Sequence, residues 1–547
     1  MSNNTVNINI GVLGHVDCGK TSLVRSLSTT LSTAALDKHP QSSERGITLD
    51  LGFSAFMLQI DKERISEQVQ ITLVDCPGHA SLLKTVLGGS KIMDAILLVI
   101  DVTKGIQMQT SECIVVGELV TDKAVIVFNK IDLIPPDERT QRMTLMKKKT
   151  FKALQQTKFK DAPYVFVAAN PIQVEKMEPN ISENAKPWGM DELISILSKN
   201  ITIPERNQKG NFLFAFDHCF SVKGHGTVFT GTVLQGATRV GDVINIPDIG
   251  VSRKIKSMQV YRKPVTECGQ GERVAICISQ CPSDKIERGF LAVPGYLSLS
   301  TCFIALAYKV RFYRQDCLSK SRFHVTVGHS TAIGAVTFFS AYSNCPKKDC
   351  FSFDERYFYE TQLENDSTNS TSNKVFFALI KTDIPLCIYP KVGFIASRLD
   401  WGTEVNRCRI AFHGQVVAQM HNTASSTVTE KKNDMLQLIK IKKRQGTVER
   451  IQDNMMVIVK GLFPREANIE TFQQMTVDFG HDVTGCIEGK FGNSGKVRVR
   501  LLSQPDSIPQ AGSKVELVFY KVFSLDHETK KGNMYITQKE FRNFSHS

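Results

Sequence analysis

The stretch Gly11 to Thr21 reads GVLGHVDCGKT, and its reading decides the fold. It holds a glycine, four spacers and then Gly-Lys-Thr: Gly14, Gly19, Lys20 and Thr21. Small residues let such a loop wrap a phosphate and turn its N–H groups inward. The run before it, NINIGVLG, is apolar and strand-like, and KTSLVRSLST after it has helical spacing. A loop that opens a helix N-terminus favours negative charge. This context predicts that Asp17, Cys18, Gly19, Lys20, Thr21 and Ser22 line the phosphates of a nucleotide. Lys20 would reach the β and γ phosphates, and the Thr21 hydroxyl would ligate Mg²⁺.

Two further elements follow in order. Asp75-Cys76-Pro77-Gly78 closes the strand-like run ITLVDCPG. There Asp75 can hold Mg²⁺ through water, and the Gly78 N–H can meet the γ-phosphate. Asn129-Lys130-Ile131-Asp132 ends a second run, AVIVFNKID. A carboxylate at Asp132 can accept hydrogen bonds from the N1–H and 2-amino groups of guanine. Adenine lacks that donor pair, so Asp132 selects GTP. After YVFVAAN the segment Ala168-Ala169-Asn170 departs from the usual Ser-Ala-Lys, and only the Ala169 N–H is expected on the base.

The first 204 residues alternate near-continuous apolar runs with helical stretches, which predicts a mostly parallel sheet in an α/β GTP-binding domain. Beyond Pro204 helical periodicity vanishes. Short Val-, Ile- and Phe-rich runs recur between Gly, Pro and Asp, as in VFTGTVLQGATRVGDVINIP, which predicts antiparallel barrels. Three β-rich domains are expected: 208–296, 298–420 and 435–547, with 421–434 a linker. Within the second of these, residues 342–374 end in LENDSTNSTSNK and read as a long mobile insertion.

The formal net charge of +13 favours a polyanionic partner, whether RNA, DNA or an acidic membrane. The start lacks a secretory pattern, and the strongest apolar run, Ile96 to Ile100, is flanked by Asp94 and Asp101, so no membrane span and a cytoplasmic location are expected. The 14 cysteines are scattered, as in a reducing compartment, and neither Cys277/Cys281 nor Cys345/Cys350 has the spacing of a zinc knuckle.

Together GHVDCGKT, RGITLD, DCPGHA and NKID resemble the translational GTPases of the elongation factor Tu type. That resemblance implies a first switch at Arg45 to Thr48, with Thr48 a second hydroxyl ligand of Mg²⁺. It implies that His79 orients the water attacking GTP, and that Val16 and Ile47 form an apolar gate that the ribosome opens. GHGTVFTGTVLQGATRVGDVI is similar to the second domain of tRNA-carrying GTPases, so the polyanion is most simply a tRNA.

A finer resemblance, to the eukaryotic and archaeal selenocysteine-specific elongation factors of the SelB type, rests on TTLSTAALDKHPQSSERGITLDLGF, VDCPGHASLLKTVLGG, FDHCFSVKGHGTV and KIKSM. It implies that Asp217, His218 and Arg288 form the aminoacyl pocket. A selenol is more acidic than the ~8.5 of a free thiol, so it is an anion at neutral pH while serine is neutral. An arginine, and a histidine held charged by a neighbouring aspartate, would favour the selenolate. The resemblance also implies delivery of selenocysteyl-tRNA to ribosomes at recoded UGA codons. The last domain would then be linked to the selenocysteine insertion element of the mRNA through an RNA-binding protein. Its LIKIKKRQGTVER run, with Lys440, Lys442, Lys443 and Arg444, suits phosphate contacts, and equally tRNA or protein. Nothing in the sequence suggests an oligomer, and a monomer is expected. The alternatives are a GTP-gated RNA-binding adaptor and a general aminoacyl-tRNA carrier. An intact Lys20, Thr21, Thr48, Asp75 and His79 argue against the first, and the extra domain argues against the second.

Overall fold

The computed structural model describes residues 6–28, 30–31, 52–62, 65–76, 93–170, 187–260, 263–279, 281, 286–342, 351–364, 374–400, 407–420, 436–453, 455–480, 483–502, 509–524 and 534–536. The chain forms two compact units, residues 1–336, 364–368 and 380–419, and residues 337–363, 369–379 and 420–547.

The first unit begins with a seven-stranded sheet. Its strands are β1 (Asn7–Gly14), β2 (Thr30–Leu31), β3 (Gly52–Lys62), β4 (Ile65–Asp75), β5 (Ala95–Asp101), β6 (Ala124–Asn129) and β7 (Tyr164–Phe166), in the order β2-β3-β4-β1-β5-β6-β7. As the apolar runs require, β4, β1, β5, β6 and β7 are parallel. The antiparallel edge made by β2 and β3 was not foreseen. Leu23, Val24 and Leu27 of helix Lys20–Leu27 and Leu193 and Leu197 of helix Met190–Asn200 share one core with Val12, Val99 and Val127. Parallel strands bring their C-terminal ends to one edge. The C-terminal ends of β1, β4, β6 and β7, where the four sequence motifs begin, are therefore neighbours.

A closed antiparallel barrel follows. It is built from β8 (Leu213–Val222), β9 (Gly226–Gln235), β11 (Val243–Ile246), β12 (Val251–Val260), β13 (Lys263–Val265), β15 (Arg273–Ile278) and β16 (Gly289–Ala292), while β10 (Ala237–Arg239) and β14 (Glu267–Gly269) pair as a separate ribbon. The order β11-β16-β8-β9-β15-β12 closes through pairing of β12 with β11, so no long edge is left open. Phe214, Phe216, Phe229, Ile276 and Leu291 fill it. A further set of antiparallel strands includes Ser298–Leu306, Arg322–Val327, Gly393–Ser397 and Ile410–Gln419.

The second unit is a barrel of its own. Gln437–Asp453 pairs on one side with Met456–Lys460 and on the other with Lys514–Ser524, and Lys496–Leu501, Thr484–Phe491 and Thr476–Asp478 complete the ring. Val457, Val459, Val477, Ile487, Val497 and Leu517 are its centre.

The expectation of a mobile insertion over 342–374 needs correction in its described part. Arg356–Glu360 is a strand that pairs in parallel with Gln437 to Ile439. Tyr357 is fully buried and stacks on Phe351 at 5.2 Å, with Phe339 and Phe377 edge-on to it. The polar tail LENDSTNSTSNK dominated the reading and concealed a compact aromatic nucleus just before it.

Within the first unit, helix Met108–Val120 meets the strand region at Arg409 through a buried ion pair. The Arg409 guanidinium donates to both Glu112 oxygens at 2.9 and 2.8 Å, and its backbone N–H donates at 3.1 Å. These side chains are 3% and 6% exposed. Removing one partner would strand a buried charge at a cost of about 3–5 kcal/mol, whereas an apolar pair of similar volume is close to neutral. Arg409→Met should therefore lower the thermal unfolding midpoint markedly, and Glu112→Met with Arg409→Met should recover most of the loss. A single variant as stable as the parent would contradict the geometry.

Candidate nucleotide site and a charged barrel pocket

The loop after β1 is shaped by two residues in the left-handed region, Asp17 at φ +61° and Gly19 at φ +93°. Lys20, buried, donates to the Gly14 and His15 carbonyls at 3.1 and 2.8 Å. The Val16 N–H donates to Gln109 Oε1 at 3.1 Å. Cys18 is buried and Ser22 half-buried, and the Ser22 carbonyl accepts from Ser26. The Thr21 hydroxyl donates to Asp75 Oδ2 at 2.6 Å, which brings together two hard oxygen donors, one from the first turn of a helix and one from the end of β4. Such a donor set fits Mg²⁺.

The third and fourth motifs are locked to the first through Asn129, which is 2% exposed. Its amide N–H₂ donates to the Cys18 carbonyl at 3.0 Å, and its Oδ1 accepts from the Ala169 N–H at 3.1 Å. The Ala169 carbonyl accepts in turn from the Ser26 hydroxyl at 2.7 Å. The Ala169 N–H, expected on the base, therefore points to the side where Asn129 closes the third and fourth motifs together. Lys130 sits at φ +68°, and its ammonium lies 3.0 Å from Asp101. Burial alone would raise the Asp101 pKa, but hydrogen bonds from Thr103 and Lys130 outweigh it and hold the group below the ordinary carboxylate value. Asp132 is half-buried in the turn Ile131–Leu133 that follows. Ile47, Thr48, Gly78 and His79 lie outside the described residues, as do Cys345 and Cys350, whereas Cys277 and Cys281 are free thiols.

In the barrel, β8 carries a bulge between Phe216 and His218, which pair with Gly231 and Thr230. A bulge re-aims the extra residue, here Asp217, into the barrel wall. The close approach requires Gly231, because a Cβ there would collide with the Ala215 carbonyl and the Phe216 backbone. Asp217 is 8% exposed and receives both terminal nitrogens of Arg273, at 2.7 and 2.9 Å, with the Thr230 hydroxyl at 3.3 Å. His218 Nε2 is 3.9 Å from Asp217 Oδ1 and is 35% exposed. Gly289 pairs with Phe216, so Arg288 precedes the strand end at which Asp217 and His218 follow Phe216. Arg288 is half-buried, and burial lowers its pKa from the usual arginine value.

The sequence-stated trio is therefore held near one strand end, but the counter-ion of Asp217 is Arg273, which sequence reading missed. The available signal was GERVAICI, an arginine set at the mouth of an apolar strand, where a buried charge needs a partner. The Arg273 guanidinium also lies 3.1 Å above the ring of Phe53 in β3.

Residues 5–202 match the family described as the elongation factor Tu GTP binding domain. Residues 304–414 match the third domain of the eukaryotic selenocysteine-specific elongation factor, and 434–532 the eEFSec C-terminal RIFT domain. The selenocysteine-specific elongation factor of Mus musculus is 40% identical over 527 residues, covering 92% of this chain and 89% of the mouse protein. The factor of the same name from Methanocaldococcus jannaschii is 33% identical over 324 residues, 59% of this chain and 64% of that one. The crystal structure of translation elongation factor SelB from Methanococcus maripaludis has the same fold, with a TM-score of 0.69 at 23% identity over 94% of this chain and 98% of that one.

A parallel-sheet domain with these loops, followed by β-barrels, is the architecture of a translational GTPase, a protein that binds and hydrolyses GTP and works with tRNA and the ribosome. Within that class the chain belongs to the selenocysteine-specific elongation factors.

Placing a side chain at Gly19 tests how the loops are interlocked, since its Cβ would run into Asn129 Nδ2 and the φ is unfavourable. Strain of about 1–3 kcal/mol predicts that Gly19→Ala weakens GTP binding roughly tenfold to a hundredfold. Titration with a fluorescent GTP would read this, with circular dichroism confirming an intact fold. Unchanged affinity would show that the loop tolerates the displacement.

Proposed function

We propose that the GTP form of this protein carries selenocysteyl-tRNA to the ribosome at recoded UGA codons and hydrolyses GTP on decoding. The observation that supports this most directly is the charged end of the barrel at Asp217, His218 and Arg288. Two unit charges about 4 Å apart interact by about 4 kcal/mol at an effective dielectric near 20. Even a third of that, about 1.4 kcal/mol, separates a selenolate from a neutral serine hydroxyl by about tenfold.

In this reading Asp17, Cys18, Gly19, Lys20, Thr21, Ser22 and Gly78 hold the phosphates, and Asn129, Lys130 and Asp132 hold the guanine. Thr21, Thr48 and, through water, Asp75 hold Mg²⁺, which neutralises charge on the β and γ phosphates. His79 orients the attacking water, and Val16 and Ile47 keep it back until the ribosome engages. The last domain connects the factor to the selenocysteine insertion element through an RNA-binding protein. The protein acts as a monomer in the cytoplasm, and no helix among the described residues is long and apolar enough to cross a membrane.

Two measurements test the reading. The GTP-loaded protein should prefer one tRNA charged with selenocysteine over the same tRNA charged with serine, and Arg288→Ala should remove most of that preference. Equal binding by the parent protein would remove the selenium assignment. Separately, His79→Ala should abolish ribosome-stimulated hydrolysis while GTP binding stays near normal, and persistent hydrolysis would take His79 out of the mechanism.

A further inference from the structure

We infer, resting on the reading above in which Lys130 and Asp132 hold the base, that Asp101 is a positioning residue of the guanine site. It fixes Lys130, and through Lys130 the turn that presents Asp132.

Asp101 is the last residue of β5 and stands across from Asn129, the last residue of β6. The Val102 N–H donates to the Asn129 carbonyl at 3.0 Å, which ties the two strand ends together. One step beyond Asn129 the chain turns left-handed at Lys130, with φ +68° and ψ +36°. A residue with a Cβ is strained there and persists only when its surroundings hold it. Asp101 supplies the hold, since the Lys130 ammonium lies 3.0 Å from its Oδ2. The Asp101 side chain is 4% exposed and that of Lys130 28%, so water screens the contact poorly. The turn Ile131–Leu133 begins at the next residue, and the Leu133 N–H donates to the Lys130 carbonyl at 3.2 Å. Asp132 is the middle residue of that turn, so a change in the Lys130 backbone re-aims it.

The two oxygens of Asp101 have separate tasks. Oδ1 accepts from the Thr103 backbone N–H at 2.8 Å and from its hydroxyl at 2.6 Å, which shapes the loop after β5. Oδ2 faces Lys130. The carboxylate is charged at neutral pH, since the effect of burial is outweighed by the hydrogen bonds from Thr103 and Lys130. The loop is anchored in turn by Arg142 of helix Pro136–Leu154, which donates to the Thr103 carbonyl at 2.7 Å. Lys130 also borders the phosphate loop, for a Cβ on Gly19 would stand 4.0 Å from its Cε. Asp101 thus anchors a side chain that adjoins both the base turn and the phosphate loop, while lying outside all four sequence motifs.

Asparagine separates the two tasks. In Asp101→Asn the amide oxygen can stay with Thr103, while the N–H₂ group meets the Lys130 ammonium, donor against donor. The test is titration of the full-length protein with GTP, GDP and inosine triphosphate, whose base lacks the 2-amino group that Asp132 would bind. Asp101→Asn should weaken GTP binding about tenfold, as for the loss of one hydrogen bond to a charged group. GDP should weaken by the same factor, and the preference for GTP over inosine triphosphate should fall. Lys130→Met removes the ammonium and should lose at least as much. The double variant should lose no more than Lys130→Met alone, because both changes remove one contact. Circular dichroism reports whether each variant is folded. Should Asp101→Asn fail that control, Lys130→Arg carries the test, since it keeps a charge facing Asp101 and should bind GTP more tightly than Lys130→Met. Parental affinity in Asp101→Asn, a loss shared equally by all three nucleotides, losses that multiply in the double variant, or Lys130→Arg as weak as Lys130→Met would overturn the inference. A parent protein without preference for GTP over inosine triphosphate, or a Lys130→Met variant that binds like the parent, would instead overturn the reading of the base site.

Discussion

A single buried amide holds the nucleotide site together. Asn129 donates to Cys18 in the first loop and accepts from Ala169 in the last, so one side chain sets the spacing of three loops. Only an amide can do this. An aspartate would turn a carboxylate oxygen toward the Cys18 carbonyl, and a leucine of similar size would leave a buried N–H and a buried C=O unmet, at about 1–3 kcal/mol each. The contact exists because parallel strands deliver their C-terminal ends to one edge, and it leaves Gly19 no room for a side chain. Fold and chemistry thus share one constraint.

The charged contacts in the barrels obey the same logic at longer range. Asp217 reaches Arg273 only because a bulge turns it inward, and the bulge fits only because Gly231 has no Cβ. Arg409 and Glu112 repeat the pattern, each with little exposure, the guanidinium giving one N–H to each carboxylate oxygen. Buried ion pairs of this kind contribute little net stability, because desolvation offsets the attraction. What they supply is register: a strand slipped by one residue would leave a charge alone in the interior.

Legibility in the sequence follows from these distances. The phosphate loop, DCPG and NKID could be read because their chemistry needs contiguous residues at fixed spacing, and the parallel sheet because strands covered on both faces are apolar throughout. Periodicity reports which face is buried but not which residue lies across from it. Arg273 and Asp217 are 56 residues apart, and Arg409 and Glu112 are 297 apart, so neither pair leaves a local trace. The antiparallel β3 was missed because it lies between the motifs on which the reading was built. The strand Arg356–Glu360 was missed because a polar tail outweighed five aromatic residues between Phe351 and Tyr359.

The helix Met108–Val120 joins these themes. Gln109 on its first turn accepts from the Val16 N–H of the phosphate loop, and Glu112, three residues on, holds Arg409. Residues three apart lie on one helical face. The phosphate loop and the Arg409 strand region are therefore gripped by adjacent positions of one rigid element. A displacement of the Val16 amide must either break its bond to Gln109 or carry the helix with it. If the helix moves, Glu112 must carry Arg409 or abandon a buried charge at a cost of several kcal/mol. The two links differ in strength: the first is a single neutral hydrogen bond, about 0.5–1.5 kcal/mol, and the second a buried ion pair.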